Sequence, residues 1–121
     1  MSVSSGSLVR AIGIAGASWG VLQLTRGPAI WTSLEGDQPS GTESGVIAVL
    51  GGRHLAQGLA EAVWPNHGQA WWAVVDLTHA ASMVAFAAVG RDRYRRVALC
   101  SGAVALTNGL LTLVARRRQA R

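Results

Sequence analysis

A small set of side chains in the middle of this chain has the types and spacing to do chemistry together. Arg53, Gln57 and Glu61 recur at i, i+4 and i+8, one stripe of a helix, and His54 lies beside them. Asp76 and His79 stand at i and i+3, one stripe of the segment that follows. A hairpin turning about residues 66–67 sets His54 opposite His79 and Gln57 opposite Asp76. Arg53 then falls within a turn of Asp76, so an Arg53–Asp76 ion pair is predicted. Gln23, Thr107 and Asn108 are the candidates to complete the network. Such a cluster supports proton transfer, with Asp76 or Glu61 as acid or base, Arg53 stabilising an anionic oxygen, and His79 assisting. It also supports ligand binding by Arg53, His54, Gln57, Asp76 and His79, or a clasp that fixes helix register. His54 and His79 as axial haem ligands, or with Asp76 and Glu61 as a metal site, lack any ligand motif, so no cofactor and no metal is assigned.

The elements that must position these groups are unusually apolar. Only 14% of the 121 residues are charged and 50% are hydrophobic, where an ordinary soluble domain carries about a quarter charged. That balance excludes a disordered chain. The lone Cys100 excludes a disulfide framework or a cysteine zinc site. Charges are concentrated between apolar blocks. Residues 97–115 carry none, and residues 71–90 carry only Asp76 besides His79. The spacing predicts helices over about 7–25, 44–64, 70–90 and 96–115, each long enough for a bilayer core of about 30 Å. Trp31, Trp64, Trp71 and Trp72 fall at predicted ends, as in an interfacial belt. The reading is an all-α, integral membrane four-helix bundle in one domain, residues 1–121. A soluble Ala-rich bundle is the alternative, and the mean hydropathy of +0.28 is low for four spans. The third and fourth blocks, however, offer almost no polar face. A cleaved signal peptide is a further alternative, but only Arg10 supplies an n-region charge and no A-x-A site follows.

Arg26-Gly27-Pro28 is expected to end the first helix, leaving a connector over 26–42. Pro65-Asn66-His67-Gly68 predicts a tight hairpin between helices two and three. Arg116-Arg117-Arg118-Gln119-Ala120-Arg121 is read as a basic tail. Small residues recur at packing distance: Gly16–Gly20, Ala48–Gly52–Ala56–Ala60, Ala98–Gly102 and Ala105–Gly109. Four spans put both termini on one side. Arg10, Arg116, Arg117, Arg118 and Arg121 share that side, and Arg26, Arg91, Arg93, Arg95 and Arg96 share the other. The positive-inside comparison therefore ties, and dual insertion stays open. Basic groups from both ends of the chain favour cytoplasmic termini in the cell membrane.

The run Gly51-Gly52-Arg53-His54-Leu55-Ala56-Gln57-Gly58, followed by Asp76, resembles small bacterial four-span membrane proteins near the DoxX-like families. Those tend to carry G-x-R-x-x-x-x-G in helix two and an acid in helix three, which Gly51, Arg53, Gly58 and Asp76 match. His54 stands where that family tends to carry an acid. The resemblance covers residues 45–90 and implies a fold but no activity. The expected role is a membrane binding or assembly module, alone as a homo-oligomer or as an accessory subunit. The alternatives are a compact enzyme acting on a lipophilic small molecule, or a proton-coupled transporter. Membrane lipids are expected partners. Nucleic acid is not, since no RNA-binding motif accompanies the basic tail.

Overall fold

The computed structural model describes residues 3–121. Four helices follow in chain order: α1 (Ser5–Glu35), α2 (Gly41–Val63), α3 (Gln69–Val89) and α4 (Asp92–Gln119), and no strand occurs among the described residues. Local chemistry sets several of the ends. The Ser4 side chain accepts the Ser7 N–H to cap α1. Ser40 and Glu43 form a reciprocal capping box on α2. Gly36 (φ 84°) and Gly68 (φ 71°) take left-handed backbone at the end of α1 and the start of α3. Asp92 in the first turn of α4 and Arg116, Arg117 and Arg118 in its last complement the helix dipole.

The structure corrects the expected end of the first helix. α1 runs on past Pro28 to Glu35, and only Arg26 leaves helical geometry (φ −128°, ψ 17°). A proline inside a helix loses one hydrogen bond and crowds the carbonyl four residues back. A bend just before it relieves both without ending the helix. Gly27 makes the bend compact, because a Cβ there would stand 2.7 Å from Ile47 Cγ2. The connector shrinks to residues 36–40, and the basic tail is helical as far as Gln119.

Close backbone packing joins α1 to α2, α3 to α4, and α1 to α4. The α1–α2 seam uses glycines seven apart. A Cβ on Gly13 would stand 2.6 Å from Gly58 O, and one on Gly20 would stand 2.6 Å from Gly51 O. The stripe Ala48–Gly52–Ala56–Ala60 is not this seam: a methyl placed on Gly52 would meet nothing within 4 Å, and Ala48 and Ala56 are exposed. The α4 glycines do meet α3, Gly102 at Met83 Cβ (3.1 Å) and Gly109 at Leu77 and Asp76.

The short link over residues 64–68 joins α2 to α3, and Asp76 is hydrogen-bonded across them by Arg53 and Gln57. These neighbours in sequence are not a close-packed pair. Their facing side chains include Arg53, Gln57, Asp76 and His79, which are too large to let the backbones close. The interior is correspondingly polar. Glu61, His54, Gln23, Asp76 and Thr112 are buried, while Val49, Val63, Val74, Val84 and Val89 are exposed. α1, α3 and α4 are each long and apolar enough to cross a membrane. α2 carries Glu43, Arg53 and Glu61 and is not among them.

Because the seam has no room for a side chain, Gly58→Val should lower stability by about 1–3 kcal/mol, the usual cost of overpacking. Gly52→Ala should be neutral or slightly stabilising, since it only removes backbone freedom. Thermal unfolding of both variants in one detergent checks this, and equal losses would refute the glycine seam.

Candidate functional site: a polar gap between α2 and α3

Arg53, His54, Gln57 and Glu61 project from successive turns of α2, and Asp76 and His79 from α3. Arg53 Nη2 donates to Asp76 Oδ1 at 3.2 Å, and Gln57 Nε2 donates to Asp76 Oδ2 at 2.9 Å. The same Gln57 nitrogen donates to Glu61 Oε1 at 3.1 Å. One amide therefore bridges two carboxyl groups, and Asp76, only 1% exposed, has both oxygens engaged. The His54 and His79 rings lie edge to face with centroids 6.3 Å apart. His79 Nε2 pairs with Ser101 Oγ of α4 at 2.9 Å.

The expected completing partners lie elsewhere. Thr107 Oγ donates back to Ala103 O within α4. Gln23 Oε1 is buried without a partner. Asn108 makes no hydrogen bond in the cluster, and its amide nitrogen lies near Gly16 instead. Ser101, a small hydroxyl with no catalytic spacing around it, takes that place. Its only sequence signal is its helical register beside Ala98, Gly102 and Ala105 on the packed face of α4.

Two atoms of the cluster are left over. Arg53 Nη1 and His54 Nε2 are buried with no hydrogen-bond partner, and His54 as a whole is 2% exposed. Guanidinium nitrogens only donate, whereas a neutral imidazole nitrogen donates or accepts according to tautomer. The free valence of the cluster therefore suits an oxygen acceptor placed beside Arg53. Among the described residues, no three His, Cys, Asp or Glu side chains converge to hold a metal ion. Nε2 of His79, the nitrogen an axial ligand would turn to a haem iron, is held by Ser101.

Next to the cluster, an apolar groove of about 480 Å³ lies along α2 and α3. Val46 and Leu50 of α2, Met83 and Phe86 of α3, and Val97 and Ser101 of α4 line it. Leu50 stands one turn from His54 along α2, and Met83 one turn from His79 along α3. Its Ser101 wall is the hydroxyl that binds His79.

Trp31, Glu43 and Tyr94, which also line the groove, belong to a clasp that the sequence reading missed. Arg93 donates to both Glu43 oxygens (2.9 and 3.0 Å), to Asp37 Oδ2 (2.6 Å) and to Gln38 O (3.2 Å). Its guanidinium lies 5.8 Å from the Trp31 ring centroid, and Trp31 Nε1 donates to Asp37 Oδ1. Tyr94 packs edge-on against Trp31 with centroids 5.7 Å apart. Hydrogen bonds from Arg93, then from the Ser40 N–H, hold the Glu43 carboxyl down to about 2 from its usual 4.5. The same partner pushes Arg93 further up. The signal was present in the sequence only as acids in one connector and arginines in another, fifty residues apart.

The chain matches no protein-family model, no curated protein and no solved structure.

Removing one member of a buried ion pair strands the other charge. Asp76→Leu should cost about 3 kcal/mol, and adding Arg53→Leu should recover part of that loss. Unfolding of the single and double variants checks this, and strictly additive losses would count against the pair. The clasp has its own pH signature. A carboxyl whose folded value is depressed contributes stability that is fully present above 4.5 and lost as pH falls toward about 2. The advantage in Tm of the natural chain over Glu43→Gln should be constant above about pH 5 and shrink below it. A pH-independent difference would show that the clasp does not titrate.

Proposed function

We propose that this chain is an integral membrane binding module, and that the α2–α3 gap takes a lipophilic molecule with a carbonyl or carboxyl head. The apolar chain of the ligand lies in the groove, and the head oxygen meets Arg53 Nη1 and His54 Nε2. The observation that carries this reading is the pair of buried, unpartnered nitrogens on adjacent residues of α2, one turn along that helix from Leu50 in the wall of an apolar groove. Buried polar atoms are nearly always satisfied, so two left free on one turn beside a groove point to an occupant.

The membrane setting is supported by the outward apolar surface and by three helices of spanning length. In this reading α2 crosses with them, its charges turned to the interior. The terminal face carries Arg10, Arg116, Arg117, Arg118 and Arg121, and its one acid, Glu61, is buried. Anionic headgroups of the cytoplasmic leaflet attract such a face by about 1 kcal/mol per basic residue, which favours cytoplasmic termini.

A clasp role is favoured by a different observation, the full engagement of Asp76 by Arg53 and Gln57. The two roles divide the cluster. Asp76, bonded by Gln57 and by Arg53 Nη2, holds α3 to α2, while Arg53 Nη1 and His54 Nε2 face the ligand. Acid–base catalysis by Asp76 or Glu61 and proton-coupled transport are the alternative readings of the same cluster.

The test uses palmitic acid labelled with ¹³C at its carboxyl group and the full chain in nanodiscs. One saturable site per chain is expected, with a bound carboxyl resonance distinct from that in lipid. Arg53→Gln and His54→Leu should each weaken binding about tenfold, as loss of a hydrogen bond to a charged head does. Non-saturable uptake, or affinity untouched by both substitutions, would sink the reading.

A further inference from the structure

A second pair of unpartnered polar atoms lies on α1, behind the Leu50, Val97 and Ser101 wall of the α2–α3 groove. Trp19 and Gln23 stand one turn apart and face the space between α1, α2 and α4. The indole Nε1 of Trp19 and the amide Oε1 of Gln23 are both buried without a partner, and Gln23 is only 6% exposed. One is an obligate donor and the other an acceptor. Both residues line a void of about 20 Å³, together with Leu50, Val97, Cys100 and Ser101. That is room for about one oxygen atom.

The void shares the walls Trp19, Ile30, Leu34 and Cys100 with an open cleft of about 340 Å³. Residues from before the α1 bend (Trp19) and after it (Ala29, Ile30, Ser33, Leu34) form this cleft, against Cys100 of α4. The lining is almost wholly apolar, apart from the Ser33 hydroxyl, which is spent on Ala29 O.

We propose that this cleft is a second site, for a lipophilic alcohol. The alkyl chain lies in the cleft and the hydroxyl enters the void. The hydroxyl oxygen accepts the Trp19 N–H and its hydrogen goes to Gln23 Oε1. Both groups line the one void, so a single oxygen held there at ordinary hydrogen-bond lengths of about 2.8–2.9 Å serves the two of them. A hydroxyl satisfies both atoms at once. An ether satisfies only the indole, a carboxylate brings no hydrogen for Gln23, and an alkane satisfies neither. The void shares Leu50, Val97 and Ser101 with the α2–α3 groove, but the proposal rests on different atoms, Trp19 Nε1 and Gln23 Oε1, whereas the free nitrogens of that gap suit an oxygen acceptor.

Cys100, the single cysteine, forms a wall of both spaces and reports their occupancy. The experiment measures its alkylation by N-ethylmaleimide in the full chain in nanodiscs, titrated with 1-dodecanol, methyl dodecyl ether or dodecane. Dodecanol should protect at a concentration about tenfold below that of the ether, the discrimination one hydrogen bond supplies. Dodecane should protect no better than the ether. Gln23→Leu should erase the preference for the alcohol, and Trp19→Phe should do the same if Gln23→Leu does not fold. If Cys100 resists the reagent, the Trp19 indole N–H resonance replaces it and should shift with dodecanol but not with dodecane. Equal protection by alcohol and alkane would overturn the proposal, as would a preference that survives the substitutions. Absence of any effect would assign the void to water alone and overturn it as well.

Discussion

Asp76 is buried with its charge balanced by a single guanidinium and a single amide, and much of the bundle is arranged around that requirement. A carboxylate removed from water is costly unless its oxygens are filled. Arg53 and Gln57 fill them from the facing helix, and they are long side chains. Long side chains between α2 and α3 keep those backbones apart. The bundle must then gain its close contacts elsewhere. It gains them where glycines let α1 approach α2 and let α4 approach α3. The polar bridge and the glycine seams are two parts of one solution. One pair of helices is held at a distance so that a carboxylate can be satisfied, and the remaining pairs close up.

The same separation leaves a groove. Apolar side chains line most of it, together with Ser101, the partner of His79, and with Trp31, Glu43 and Tyr94 of the Arg93 clasp. The clasp draws together α2, the 36–40 connector and the start of α4, with Trp31 of α1 beneath it. Further bonds tie the helix ends on both faces. Arg96 and the Val97 N–H reach Leu34 O and Glu35 on one face, and Arg10 reaches Ala62 O on the other. A bundle that turns its aliphatic side chains outward has little apolar core to hold it. It relies on such bonds and on backbone contact.

Much of this was legible in the residues. Apolar blocks of spanning length, with few charges in them, marked four helices. The i, i+4, i+8 stripe in α2 and the i, i+3 pair in α3 set the residues that face each other across the gap. The extent of α1 was not legible, because proline and glycine after Arg26 read equally as a stop or a bend. Packing against Ile47 decides between them. Nor was the choice of seam. Ala48–Gly52–Ala56–Ala60 and Gly51–Gly58 are equally good small-residue stripes on one helix, and only the partner's position selects one. Ser101 and the Arg93 clasp join residues from distant segments, which no local spacing announces.

Residue type and helical period by themselves determined that the chain is all-helical, that apolar residues dominate its blocks, and which polar side chains share a helix face. These are properties of single helices, set by a backbone repeat of 3.6 residues and by the cost of stranding charge. Only the tertiary structure decided which helices touch and which polar atoms find partners. It alone left Arg53 Nη1, His54 Nε2, Trp19 Nε1 and Gln23 Oε1 without one. The reason is geometric. Whether a donor is satisfied depends on the three-dimensional position of an acceptor on another helix to within about an ångström, and sequence spacing carries no information at that scale across helices.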